Sequence, residues 1–218
     1  MGFGLLFIGY FFLLFYPVGS MGIVPNAAAV GCIIMFFACG KLAKNAPDCK
    51  GFSLARFALI PYFAVALAEF ALDIAERSYS ESNLQVGIFE GTLALLSDTL
   101  FGVFSVLLAV GIFKLAKDVG LDKLASRAGI VMSITVVYSA LAAVSDVARF
   151  VGGIDGTAVV ILNYIGFAAF ILEYAAILAN LWQIFSCYAG ICLEGDEDMP
   201  YREDIFDKIV AFAKRSKK

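Results

Sequence analysis

"LALLSDTLFGVF" runs from Leu93 to Phe104, and eleven of its twelve residues suit lipid or a helix–helix contact; Asp98 is the exception. The apolar run around it extends over 91–113. At 1.5 Å per residue that is a helix of about 35 Å, enough to cross a hydrocarbon core of about 30 Å. The carboxylate at position 98 therefore falls inside a predicted membrane span, and the rest of the chain must explain it.

The surrounding composition agrees with a lipid solvent. Of 218 residues, 61% are hydrophobic and 16% charged, whereas soluble domains run about 45–50% apolar and about 25% charged. Mean hydropathy is +0.89. Further apolar runs fall at 3–16, 23–40, 54–75, 128–151 and 157–185. The predicted fold is all-α, a polytopic bundle of six transmembrane helices over residues 1–188, with a cytoplasmic tail at 189–218. The run 3–16 ends at Pro17 and covers only about 21 Å, so it reads either as a short span or as a re-entrant segment.

Lys and Arg orient the bundle. With the N-terminus inside, the cytoplasmic segments hold Lys41, Lys44, Lys50 and Arg56, then Lys114, Lys117, Lys123 and Arg127, then Arg202, Lys208, Lys214, Arg215, Lys217 and Lys218. Only Arg77 and Arg149 remain outside. Both termini are therefore expected in the cytoplasm. "MGFGLLFIGYFFLLFYPVGS" lacks a basic leader and a clear cleavage site, so the first run reads as retained.

Internal similarity adds a pattern. "GIFEGTLALLSD" (Gly87–Asp98) resembles "GIDGTAVVILN" (Gly153–Asn163), which sets Asp98 opposite Asn163. "DIAER" (Asp73–Arg77) resembles "DVARF" (Asp146–Phe150), and "KLAK" occurs at 41–44 and 114–117. The reading is three parallel-repeat hairpins, 1–44, 52–117 and 124–188, an organisation that transporter folds use.

Ionisable groups inside a membrane are costly, at roughly 2.5–3.5 kcal/mol each near the centre, and mark function by default. The candidates for a polar, outward-facing cavity are Asp98, Glu69, Asp73, Asp146, Arg149 and Asn163. Glu173 and Asn180 continue a strip inward along the last span, with Gln183 one turn further. Two readings compete. In one, these groups bind a small solute, a proton or a cation, with Arg149 as counter-ion. In the other, they satisfy one another and Ser97, Thr99, Ser133, Thr135 or Ser139 across helices, and so fix the bundle.

Several functions lose their usual equipment. Histidine is absent, which removes the commonest general base and metal ligand. Cys32, Cys39, Cys49, Cys187 and Cys192 form no CxxC pair and no zinc spacing, so they read as small packing residues. No basic, aromatic-interleaved surface for nucleic acid is present. Neither a catalytic role, nor a bound metal, nor an organic cofactor is expected. In the tail, Asp198 can cap a helix over about 200–215 whose Ile205, Ile209 and Phe212 form an apolar stripe. That helix suits the inner membrane surface or a cytoplasmic protein partner. "EGDED" (Glu194–Asp198) lacks EF-hand spacing and reads as a solvated linker.

Two resemblances accompany these readings. "GFGLLFIGYFF" and "CYAGICLEGDEDMP" resemble an uncharacterised family of multi-pass membrane proteins of Gram-positive bacteria, which implies the bacterial cell (plasma) membrane and no particular chemistry. "GIFEGTLALLSDTLFGVF" resembles a stretch of the substrate-binding S components of energy-coupling-factor importers, with Gly87, Gly91, Asp98 and Gly102 on the pattern. The first span lacks the Ala-x-x-x-Ala motif by which such proteins grip their partner. The functional expectation is binding or transport of a small solute or ion. The alternative is a non-catalytic interaction or signalling protein that works through its C-terminal helix.

Overall fold

The computed structural model describes residues 2–13, 27–78, 84–151 and 157–191, and the tail helix expected at about 200–215 lies outside them. Six helices make up the described chain: α1 Gly2–Leu13, α2 Ala27–Asn45, α3 Lys50–Ser78, α4 Leu84–Asp118, α5 Asp122–Val151 and α6 Thr157–Gly190. Five contain a stretch long and apolar enough to cross a bilayer: Ala27–Asn45, Lys50–Leu72, Gly91–Asp118, Asp122–Ser145 and Val160–Gly190. The sixth, α1, has 12 residues and reaches about 18 Å. Large apolar side chains cover the outside, with Tyr164 72%, Phe167 64%, Phe57 63% and Trp182 63% exposed. A water-facing surface of that kind would aggregate, whereas hydrocarbon solvates it. The chain is a multi-pass membrane protein.

Each helix packs on the next in sequence, and α6 returns to α1, so the six close into a ring. Phe3, Leu6, Tyr10 and Leu13 of α1 are buried, so this short helix is an integral wall of the ring. Pro61 lies within α3, where a spanning helix tolerates the lost backbone hydrogen bond better than a soluble one.

Two tight connections hold neighbours antiparallel. Between α2 and α3 the chain turns over 46–49, with Ala46 N–H bonded to Leu42 O at 2.9 Å and Cys49 N–H to Ala46 O at 3.0 Å. At the end of α4, Gly120 takes φ 77°. Leu121 N–H reaches Ala116 O at 2.8 Å and Gly120 N–H reaches Lys117 O at 3.1 Å. This is the Schellman arrangement, which needs a left-handed residue after the helix and so favours glycine.

Glycines also set the closest helix crossings. A Cβ on Gly51 of α3 would lie 2.5 Å from Gly111 N and 2.6 Å from Gly111 Cα of α4. A Cβ on Gly31 of α2 would lie 2.7 Å from Gly9 O of α1. Without a hydrophobic drive between helices in lipid, such close backbone approach is a main source of packing energy.

Candidate functional site

The chemistry gathers at the ring's centre, where side chains from five helices meet. Asp98 of α4 is half-buried and accepts a hydrogen bond from the Tyr138 hydroxyl of α5 at 3.3 Å. Glu173 of α6 is also half-buried. It stands near enough for its charge to act on Asp98 and on the hydroxyls of Tyr10 and Tyr138. Two carboxyl groups and two phenols thus share one low-dielectric neighbourhood, where each charge is felt more strongly than in water.

Phe101 anchors this cluster, three residues after Asp98 on the same face of α4. Its ring centroid lies 6.2 Å from those of Tyr10, Tyr62 and Tyr138. Tyr10 stacks on Phe104 at 6.2 Å, and its hydroxyl pairs with Ser105 Oγ at 2.9 Å. That bond runs across the ring from α1 to α4, and both residues are fully buried. Ser97 is also buried, at 3% exposure.

Further along α6, Asn180 and Gln183 are 0% and 1% exposed. Asn180 Nδ2 donates to Ala176 O at 3.0 Å. Among the described residues, Asn180 Oδ1 and both polar atoms of the Gln183 amide are buried without a hydrogen-bond partner. Seven helical residues separate Glu173 from Asn180, so the two lie about 20° apart around α6 and about 10 Å apart along it.

The other sequence-predicted residues are placed as follows. Glu69 of α3 is half-buried and engaged in an interaction. It stands two turns beyond Tyr62 on the same face. The backbones of Asp73, Asp146 and Arg149 are helical, but their side chains lie outside the described part. Asn163 is exposed on α6. The structure therefore sets Asp98 and Glu173 within electrostatic reach of each other.

The hydroxyls expected to satisfy carboxylates across helices behave differently. Thr99, Ser133 and Thr135 each bond the carbonyl four residues back in their own helix, at 2.7, 3.0 and 2.9 Å. Short hydroxyl side chains in a helix reach that carbonyl more easily than a neighbouring helix. Ser139 Oγ is buried without a partner, against the Gly102 backbone of α4. The residues that do stand with the carboxylates are Tyr138, bonded to Asp98, and Tyr10, both packed on Phe101 with Tyr62, and the sequence reading passed over all four. Their signal was available: a phenol inside an apolar run needs a hydrogen-bond partner as an Asp does.

Cys32, Cys39, Cys49 and Cys187 are buried free thiols. Cys49, in the turn between α2 and α3, points its Sγ at Asp118 Oδ2 across 3.8 Å. Burial first, and the Asp118 charge next, push its thiol above the ordinary range. Among the described residues no three of His, Cys, Asp and Glu group as metal ligands.

No protein-family model, no curated protein and no solved structure matches the chain.

Proposed function

We propose that the ring's centre binds a small cation or cationic solute and passes it along α6. The observation that supports this reading most is the Tyr138–Asp98 hydrogen bond at 3.3 Å, with Glu173 of another helix within electrostatic reach of both groups. Two neighbouring carboxylates in low dielectric repel, and a bound cation relieves that repulsion. The aromatic faces of Tyr10, Phe101 and Tyr138 suit the same ligand, because the ring quadrupole attracts positive charge. Asn180 and Gln183 extend the path with neutral amide groups still open to hydrogen bonding. Those are the groups a partly dehydrated solute or its water would use.

In this reading the site opens outward, the KLAK ends of α2 and α4 face the cytoplasm, and the hairpins are copies of one ancestral unit. The role is binding and transport rather than catalysis. The S-component resemblance fits such a role, with Asp98 in the ligand site and Gly102 allowing α5 to approach.

The test is ligand-dependent thermal stabilisation of the detergent-solubilised protein against a panel of alkali cations and protonated amines. A ligand at a hundred times its Kd stabilises by about 2.7 kcal/mol. Some member of the panel should raise the melting temperature, and Asp98→Asn or Glu173→Gln should abolish the rise. If no cation stabilises, or if both variants respond like the wild type, the proposal fails.

A further inference from the structure

Arg56 is a half-buried cation in the wall of the bundle, away from the central carboxylates, and its guanidinium lies across one face of α2. Its Cζ stands 4.3 Å from the centroid of the Phe36 ring. Four residues on, Gly40 lets the guanidinium lie close to α2: a Cβ there would stand 3.4 Å from both Arg56 Cζ and Nε. Lys44 follows four residues later on the same face of α2, and it is exposed. Phe36, Gly40 and Lys44 thus form a stripe that ends in a second cation.

The Arg56 Nε is buried without a hydrogen-bond partner. A guanidinium carries five donors and cannot discard its proton, so its position calls for an anion. Arg56 is six residues beyond the start of α3, or about 9 Å in along the helix axis. That puts it within the first two turns of α3, at the end of the bundle that also carries Lys44 and Lys50. The sequence neighbours of the stripe and of Arg56, Phe37 and Phe57, are 62% and 63% exposed and present a surface for acyl chains.

We propose that Arg56 and Lys44 bind the phosphate of an anionic phospholipid on the outer surface where α2 and α3 pack. Arg56 holds the phosphate by paired N–H bonds while Phe36 keeps the guanidinium plane in place. Lys44 adds charge from the leaflet surface. This site is independent of the central one and stands whether or not that one transports anything.

Native mass spectrometry of the full chain in mild detergent, titrated with phosphatidylglycerol or phosphatidylcholine, tests it. The wild type should retain phosphatidylglycerol in preference. Arg56→Gln should weaken that retention about tenfold, and Lys44→Gln about fivefold. Because Lys44 is exposed, its variant keeps the test valid even if Arg56→Gln does not fold. Equal retention of the two lipids, or unchanged phosphatidylglycerol affinity in the variants, overturns the proposal. Displacement of the lipid by millimolar inorganic phosphate also overturns it, since the cations would then serve a free anion.

Discussion

Replacing Gly51 by alanine should lower stability even though alanine is the better helix former. The added Cβ would sit 2.5 Å from Gly111 N, 2.6 Å from Gly111 Cα and 2.8 Å from Leu107 O. Non-bonded carbon atoms prefer about 3.5–4.0 Å, so α3 and α4 must part locally by about 1 Å. All three obstructing atoms are backbone, and no side-chain rotation relieves them. Overpacking of this kind costs about 1–3 kcal/mol, and the helix propensity of alanine returns at most about 1 kcal/mol. With the full return, a net loss of up to about 2 kcal/mol remains. For a chain of this size each kcal/mol moves Tm by about 2–4 °C, so Gly51→Ala should melt below wild type, by up to roughly 8 °C.

Gly129→Ala is the matched control. It sits within α5, and an added Cβ there would meet nothing within 4 Å. Its Tm should stay level or rise by up to about 4 °C. Both can be read by thermal unfolding of the purified protein in one detergent. If Gly51→Ala melts at or above the wild type, α3 and α4 do not cross at this glycine pair and the reasoning is refuted.

Tyr10→Phe should cost about 1 kcal/mol, because Ser105 Oγ loses its partner in the core. Adding Ser105→Ala should cost less than the two single changes summed, and strict additivity in a double-mutant cycle would deny the bond. Gln183→Met removes a buried amide without partners and should stabilise the empty protein by about 1–3 kcal/mol while slowing solute flux in proteoliposomes. A less stable protein with unaltered flux would show that the amide is satisfied and off the path. At pH 8 the Cys49 thiol should alkylate slowly, because burial and then the Asp118 charge keep it protonated. Its reaction should become appreciable only as pH climbs past the usual thiol range. Asp118→Asn should speed labelling several-fold, and an unchanged rate would remove Asp118 as a cause.

The helical architecture was legible because lipid imposes a simple rule: backbone groups must be satisfied within the helix, and the outer side chains must be apolar. Long apolar runs therefore announce spanning helices directly. The helices extend past those runs where loop-side polar residues continue the turn, as Leu84–Asp118 does around the run 91–113. Asp98 and Glu173 stood out because charge is scarce in such runs. Tyr10, Ser105 and Tyr138 did not, because a single phenol or hydroxyl hardly disturbs hydropathy. Which hydroxyl turns to its own helix and which crosses to another depends on helix rotation, and composition carries no record of that.

The α4 helix shows why the centre has a defined geometry at all. Asp98, Phe101 and Ser105 lie on its interior side and reach α5, α3 and α1 through Tyr138, Tyr62 and Tyr10. On the same helix, Gly102 meets Ser139 of α5 and Gly111 meets Gly51 of α3. The residues that need partners are thus interleaved with those that let the neighbouring helices come close. The Gly51–Gly111 contact is between backbones and has no rotamer freedom, so it fixes the spacing and rotation of α4 more sharply than interlocked leucines would. Asp98 sits one turn from Gly102, over which the Ser139 side chain, next to Tyr138 in α5, packs. Its carboxylate is therefore held in register with Tyr138 by a contact that itself contains no charge, which is how a bilayer protein can place a costly group accurately with little hydrophobic force between its helices.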